Sequence, residues 1–542
     1  MTSFGLRRTM TGIKVKRRPL RRLNGVWSGP PDTPGPSTTP AKVSATSQTH
    51  KFHRTRLSPP VVTPSPVSSP VQESSIIPTM QDKQMHPLDN PSVESYFIPG
   101  AKVFDRYFDC PLAYKQKSPE KIKVFARHLV PVDKVNDIKT MPFFLYLQGG
   151  PGFEVGLPSS ATSGWIKEAF AMGFQVLLLD QRGTGLSSPI STESLAMLGL
   201  DTDQAKAGYL TFFRADSIVR DCETIREQLT ADRAPDCESR FTLLGQSFGG
   251  FCITTYLSLF PTSIQHAYIT GGVPPLVNSP DVVYRALYPR ILAKNKLYYK
   301  KFPHDIERVR KIHAYLSQNQ VRLPNGGTLS PRRFLQLGIL FGVSGGYDTL
   351  HENIVFACAD LDSLSRLSYR TLNRIQELQG WDTNVIYAVL HEAIYCQGEK
   401  SNWSAERVLN EPQFASAFEW RLDQLNPGQP VYFTGETIYP FMFDDYSELA
   451  PLKKIANLLA ENTWGKLYSR KTLKTLTTPV AGVTYYDDMF VDRELSVQTA
   501  GNINGFKQWI TNEYAHNGLR VDGERVLSYL VKLGRGDSAY DR

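Results

Sequence analysis

The 542-residue chain has no stretch approaching the roughly 18 consecutive apolar residues that a bilayer-spanning helix needs, which argues against a membrane-embedded protein. Cysteine is scarce and scattered. Cys110, Cys222, Cys237, Cys252, Cys358 and Cys396 show no C-x-x-C spacing, so neither a disulfide framework nor a zinc or redox motif is indicated. No apolar h-region follows the N-terminus, which argues against a secretory signal. A reduced, cytoplasmic compartment is therefore the expectation. No His/Cys cluster suggests a metal, and no cofactor is called for.

Acidic residues are nearly missing from the first part of the chain: residues 1–72 hold twelve Lys/Arg and one acid, Asp32. This segment more than accounts for the formal net charge of +9, and the remainder is close to neutral. Without a basic stripe interleaved with aromatics in that remainder, nucleic acid is excluded as a partner. Residues 1 to about 90 also contain 13 of the 37 prolines, a composition that cannot bury enough apolar surface to offset ordering entropy. Residues 1–92 are accordingly expected to be a disordered tail. Its first 31 residues carry Arg7, Arg8, Lys14, Lys16, Arg17, Arg18, Arg21 and Arg22 with no acid, resembling a mitochondrial presequence. A solvated basic tail, or a working start at Met80 or Met85, are the readings left open beside it.

From Tyr96 the rhythm changes. Lys102–Cys110 and Lys121–Val130 alternate like antiparallel strands, whereas Phe143–Leu147 and Phe174–Leu179 are continuous apolar runs of the kind buried on both faces of a parallel sheet. A helical stretch, Gly164–Met172, separates the latter two, and another, Phe212–Leu229, with Ile218, Cys222, Ile225 and Leu229 on one face, leads into the strand that follows. Alternating strands and helices argue for a wound α/β sheet. Between Ser279 and Leu476 the pattern turns mostly helical, for example over Val282–Phe302, His304–Gln318 and Gln413–Leu422. Strand signals return at Pro479–Tyr486 and Phe506–Ile510, and a last helix is predicted over Val521–Leu533. The expected organisation is a core over 93–278, a helical cap over 279–476, and the rest of the core over 477–542.

One motif dominates the chemistry. Leu243-Leu244-Gly245-Gln246-Ser247-Phe248-Gly249-Gly250 is an apolar run ending in G-x-S-x-G, the pattern that sets a serine on a sharp strand-to-helix turn. Its flanks fit: Phe241–Leu244 reads as a short buried strand, and Phe251–Phe260 as an apolar helix stopping before Pro261. A serine nucleophile needs a base and an orienting acid, and in this fold class they follow in the order Ser, acid, His. Of ten histidines, only His516 lies beyond the last strand signal, so it is the candidate base. The strand Pro479–Tyr486 ends in Asp487 and Asp488, with Asp492 beyond. Asp488 is the chosen acid and Asp487 the alternative, since two neighbouring side chains rarely point at one partner. Gln148-Gly149-Gly150-Pro151-Gly152 follows the strand Phe143–Leu147, where this fold class supplies an oxyanion donor. The amides of Gly150 and Phe248 are the candidates. Asp180-Gln181-Arg182-Gly183-Thr184-Gly185 lacks the Lys-Ser/Thr of a phosphate loop and reads as a structural turn near the site.

Together these elements, with Thr511-Asn512-Glu513-Tyr514-Ala515-His516, resemble the proline iminopeptidase (prolyl aminopeptidase) family over roughly residues 95–542. The resemblance implies an α/β-hydrolase fold with a large helical cap, and an activity that releases N-terminal proline from peptides. The family's common form has His before G-G-P-G and G-G-S-W-G at the nucleophile, where this chain has Gln148 and Gln246/Phe248, so it looks like a larger-capped branch. An exopeptidase must recognise a cationic N-terminus, for which a buried carboxylate serves. The resemblance implies cap glutamates in that role, the nearest matches being Glu392 and Glu436, with Tyr395, Tyr439 and Phe441 as candidate walls of a proline pocket. The expected partners are peptides with a free N-terminal proline. A serine esterase on the same scaffold, or a non-catalytic binding protein that kept the fold, are the rival readings.

Overall fold

Nine strands form a single mixed sheet in the order β1-β2-β3-β5-β4-β6-β7-β8-β9 in the computed structural model, which describes residues 88, 90, 93–116 and 119–537. Apart from residues 88 and 90, the predicted N-terminal tail over 1–92 lies outside the described residues, as does its targeting reading. The strands are β1 (Ser95–Ile98), β2 (Ala101–Pro111), β3 (Lys121–Pro131), β4 (Phe143–Leu147), β5 (Gln175–Leu179), β6 (Phe241–Gln246), β7 (Ile264–Thr270), β8 (Val480–Tyr485) and β9 (Lys507–Thr511). β1, β2 and β3 pair antiparallel, as does β3 with β5. From β5 through β9 every pairing is parallel.

The central strands are apolar throughout because both faces are covered. Along β4, Phe143, Leu145 and Leu147 join one apolar cluster, whereas Phe144 and Tyr146 join the other, as the two-residue side-chain period requires. The second face packs on the C-terminal helix Gly523–Arg535 through Val526, Leu527 and Leu530. The first packs on the helices Ala215–Thr230 and Phe248–Leu259. On Ala215–Thr230 the predicted stripe of Ile218, Cys222, Ile225 and Leu229 is buried. The helix Phe248–Leu259 is enclosed almost all round. Its Thr254, Thr255 and Ser258 hydroxyls donate to the carbonyls of Gly250, Phe251 and Thr254, four residues back, which satisfies polar atoms that water cannot reach.

The chain between β7 and β8 is mostly helical, its longest helices being Pro280–Lys301, Asp305–Gln318 and Gly346–Leu364. It shares an apolar cluster with the sheet and is tied to it by Arg214. That buried guanidinium donates to the carbonyls of Ala393 (3.0 Å), Gly465 (2.9 Å) and Cys396. The predicted helix Gln413–Leu422 is not formed. Only Pro412–Ala415 is α-helical, because the Glu419 carboxylate accepts from the N–H and guanidinium of Arg421 and closes a turn where the helix would continue. Among the described residues no helix is long and apolar enough to cross a membrane, and all six cysteines are unpaired.

The turn after β5 is anchored by one buried ion pair. Arg182 and Asp221 meet through two hydrogen bonds, 2.7 and 2.5 Å. The remaining guanidinium hydrogens go to the carbonyls of Pro111, Leu112 and Phe212. Both side chains are 1% exposed or less, so removing one strands the other charge out of water. Asp221→Ala is expected to cost about 3–5 kcal/mol of stability, measured by denaturant titration; a loss under about 1 kcal/mol would contradict this account of the turn.

Candidate active site

At the end of β6 the chain makes a turn that few residues tolerate. Ser247 has φ 55° and ψ −123°, a positive-φ conformation costing a non-glycine residue about 1–3 kcal/mol. Its neighbours leave no alternative. A Cβ on Gly249 would lie 1.9 Å from the Leu147 carbonyl oxygen, one on Gly245 would lie 2.5 Å from the Gly249 backbone, and one on Gly272 would lie 2.0 Å from the Ser247 oxygen. The Ser247 N–H donates to the Thr270 carbonyl at 2.9 Å, and its own carbonyl accepts from Gly250 at 2.8 Å. Strand and helix thus close on each other and Ser247, 9% exposed, stands at their junction.

Beyond β8, Asp487 is exposed while Asp488 turns inward. One Asp488 oxygen accepts from the N–H groups of Phe490 (2.8 Å) and Val491 (3.2 Å). The other accepts from Nδ1 of His516 at 2.7 Å. A carboxylate only accepts, so Nδ1 carries the hydrogen and Nε2 is left as the basic nitrogen. Burial alone would lower the imidazole's pKa, but the charge and hydrogen bond of Asp488 outweigh it and the net shift is upward. The ring is set by an edge-on contact with Phe490, centroids 4.9 Å apart, and the backbone N–H of His516 donates to the Gly342 carbonyl at 3.1 Å. Asp492 is spent elsewhere, capping the helix Arg493–Ala500 and pairing with Arg290.

The loop after β4 faces the same point. Gly150 has φ 124°, which favours glycine. Among the described residues neither its amide nor that of Phe248, the first residue of its helix, has a hydrogen-bond acceptor. Gln148 holds the loop: its Oε1 accepts from the Tyr146 hydroxyl (2.9 Å) and the Gly149 N–H (3.1 Å), and its Nε2 donates to the Glu154 carbonyl (3.1 Å). Gln181 donates to the Gln148 carbonyl at 3.0 Å. Asp180 accepts from the N–H groups of Val155 and Leu186. Asp180 and Gln181 are therefore scaffold for this loop, while Arg182 anchors the turn that carries them.

Ser247, His516, Gly150 and Glu436 line one cavity of about 410 Å³. Glu436 is surrounded by protein yet open to the cavity, and its carboxylate accepts from the Tyr387 hydroxyl at 2.6 Å. Burial pushes its pKa up to about 7, opposed by the nearby His516. The structure does not bring Glu392 to this cavity. Both of its oxygens accept backbone N–H groups, from Ser404 (3.1 Å) and Ala405 (2.8 Å), so it caps the helix Ser404–Leu409. Burial pushes its pKa up to about 7 as well. Tyr395 packs behind the site against Phe251 and His391. Tyr439 and Phe441 stack on each other beside Arg332 and do not line the cavity. Cavity residues that sequence reasoning missed are Phe153, Trp381, Tyr387, Phe490 and Arg520. None belongs to a recognisable motif; proximity in sequence to His516 is the one signal for Arg520. Among the described residues no group of three His, Cys, Asp or Glu is arranged to hold a metal ion.

A family model described as alpha/beta hydrolase fold matches residues 142–320. A proline iminopeptidase of Aeromonas sobria is 44% identical over 442 residues, which is 81% of this chain and 98% of that protein. The proline iminopeptidase aneH of Aspergillus aculeatus is 37% identical over 458 residues, 82% of this chain and 98% of that protein. Among solved structures, a proline iminopeptidase-related protein of Thermus thermophilus is 15% identical with a TM-score of 0.33, covering 81% of this chain and 99% of that one. The assignment rests on the two sequence relatives, each matched over nearly its whole length: the chain belongs to the proline iminopeptidase family, on an α/β-hydrolase fold.

Proposed function

We propose that this protein releases N-terminal proline from peptides by a serine acyl-enzyme mechanism. The observation that carries the reading is a carboxylate, Glu436, in the same cavity as Ser247 and His516. In this reading the cationic amine of the substrate pairs with Glu436, which places the first carbonyl carbon at Ser247. His516 Nε2 takes the Ser247 hydroxyl proton as Oγ attacks. Asp488 holds the tautomer and balances the imidazolium, while the Gly150 and Phe248 amides donate to the oxyanion. His516 then protonates the departing amine, and water, activated by the same imidazole, releases proline and restores Ser247. The helical segment 279–476 acts as a cap that carries Glu436 and Tyr387 over the nucleophile, and the two core segments, 93–278 and 477–542, supply the reacting groups.

Supporting the role of Glu436 is its unfinished solvation. An enclosed carboxylate with one hydroxyl donor lacks the counter-charge that a protonated amine would bring. Glu392 lacks that opportunity because backbone donors occupy both oxygens. Its part is to hold the cap.

Steady-state hydrolysis of proline-β-naphthylamide, N-acetylproline-β-naphthylamide, alanine-β-naphthylamide and a short-chain nitrophenyl ester tests the reading. Selective cleavage of the free prolyl amide is expected, and Ser247→Ala is expected to lower kcat by several orders of magnitude with an unchanged melting temperature. Ester-only turnover would replace the peptidase with an esterase. Glu436→Gln is expected to lower kcat/KM for proline-β-naphthylamide about ten- to a hundredfold; an effect under twofold would remove Glu436 from amine recognition.

The acid limb of the pH profile gives a separate test. Glu436, raised to about 7, and His516, also raised, must both be unprotonated in the free enzyme. The logarithm of kcat/KM is therefore expected to fall below neutral pH with a limiting slope near two, as both groups take up protons. Glu436→Gln should reduce the slope to one. A slope of one in both proteins would mean that Glu436 does not titrate with activity.

A further inference from the structure

The cavity holding Ser247 and His516 is charged at two places. Glu436 is the enclosed one. The other is Arg520, an exposed residue on the cavity wall. It comes from the short turn Gly518–Val521, directly after His516. The backbone there is fixed on both sides. The Arg520 N–H donates to the Asn517 carbonyl at 3.0 Å, and the Asn517 side chain accepts from the N–H (3.2 Å) and hydroxyl (3.0 Å) of Ser344 in the cap. Gly518 sits so close to Tyr485 that a Cβ would lie 2.4 Å from its hydroxyl.

The guanidinium itself has no ion pair among the described residues. Nearby acids are engaged by others: Glu513 pairs with Arg525, Asp522 accepts from the Tyr514 hydroxyl, and Glu524 pairs with Lys167. Glu154, which also lines the cavity, forms no ion pair with Arg520. The Arg520 charge nevertheless reaches the reacting groups, since it opposes protonation of His516. A cation in a substrate cavity, backed by a rigid turn and without an ion pair among the described residues, calls for an anionic ligand group.

Resting on the aminopeptidase reading above, we infer that Arg520 binds the C-terminal carboxylate of short peptides, so that unblocked di- and tripeptides beginning with proline are the preferred substrates. A dipeptide in water is a zwitterion, with its ammonium at one end and its carboxylate at the other. Glu436 and Arg520 present the complementary pair within one cavity. A planar guanidinium fork matches a carboxylate's two oxygens. The cavity, about 410 Å³, is at the small end of the roughly 300–1,000 Å³ typical of ligand sites, which suits a short peptide. Because Arg520 is exposed, its effect is modest, screened by salt, and expressed in KM more than in kcat.

The test compares free-proline release from Pro-Ala and Pro-Ala-amide, which differ only in the terminal charge, by the full chain and by Arg520→Ala and Arg520→Glu. The quantity read is the acid-to-amide ratio of kcat/KM, which cancels changes common to both substrates. Turnover of proline-β-naphthylamide by each variant shows that it is folded. The native chain is expected to favour the acid, Arg520→Ala to reduce the ratio about two- to fivefold at low salt, and Arg520→Glu to favour the amide. Raising the ionic strength should shrink the native ratio and leave that of Arg520→Ala nearly flat. An unchanged ratio in both variants would overturn this inference alone, whereas absence of turnover on every prolyl substrate would overturn the peptidase reading and the inference with it.

Discussion

The site depends on how closely β6 and the helix behind it can approach. Ser247 sits at φ 55° because the chain must reverse from strand to helix within one residue. Gly245, Gly249 and Gly272 leave no space for a side chain where those backbones meet. That contact fixes the first turn of the helix, and with it the direction of the Phe248 amide. It also brings Gly249 against the Leu147 carbonyl, so the end of β4 and the glycine loop after it are positioned by the same contact. The strain at Ser247 is affordable because the surrounding layers are apolar and fully packed, which over-determines the turn.

Around this fixed point the charges divide into two environments. Asp488 receives three hydrogen bonds, two from its own turn and one from His516, so its negative charge is matched within the protein. Glu436 receives one, from Tyr387, and its proton is held to about pH 7 by burial. One carboxylate is complete and the other awaits a partner. In the proposed mechanism this distinction separates the group that serves the imidazole from the group available to a ligand. The helical segment that carries Glu436 is tied to the sheet through Arg214, and its Gly342 carbonyl accepts from the backbone N–H of His516.

Much of this was legible in the sequence. Buried parallel strands announce themselves as apolar runs, and β4 begins and ends where the run Phe143–Leu147 does. The helix after Ser247 starts earlier than its apolar residues suggest, at Phe248. Gly249 and Gly250 look unlike helix formers, yet close backbone approach demands them. Chain order singled out His516, and the choice of Asp488 over Asp487 agrees with which of the two turns inward. The glutamates were harder, because both lie outside any long periodic segment. Whether Glu392 meets a substrate or a helix end depends on Ser404 and Ala405, twelve and thirteen residues away, and local pattern does not carry that information. Tyr387 and Arg520 reach the cavity through the same kind of tertiary placement.

The central claim is that Ser247 becomes acylated by the prolyl group of a substrate with a free amine. Its most direct test is mass spectrometry of the protein quenched during turnover of a prolyl ester, followed by mapping of the modified peptide. The account predicts a mass increase of one prolyl residue on the peptide carrying Ser247, absent from Ser247→Ala and weak with the N-acetylated ester. Sustained turnover with no adduct on that peptide, or with the adduct on a different side chain, would contradict it.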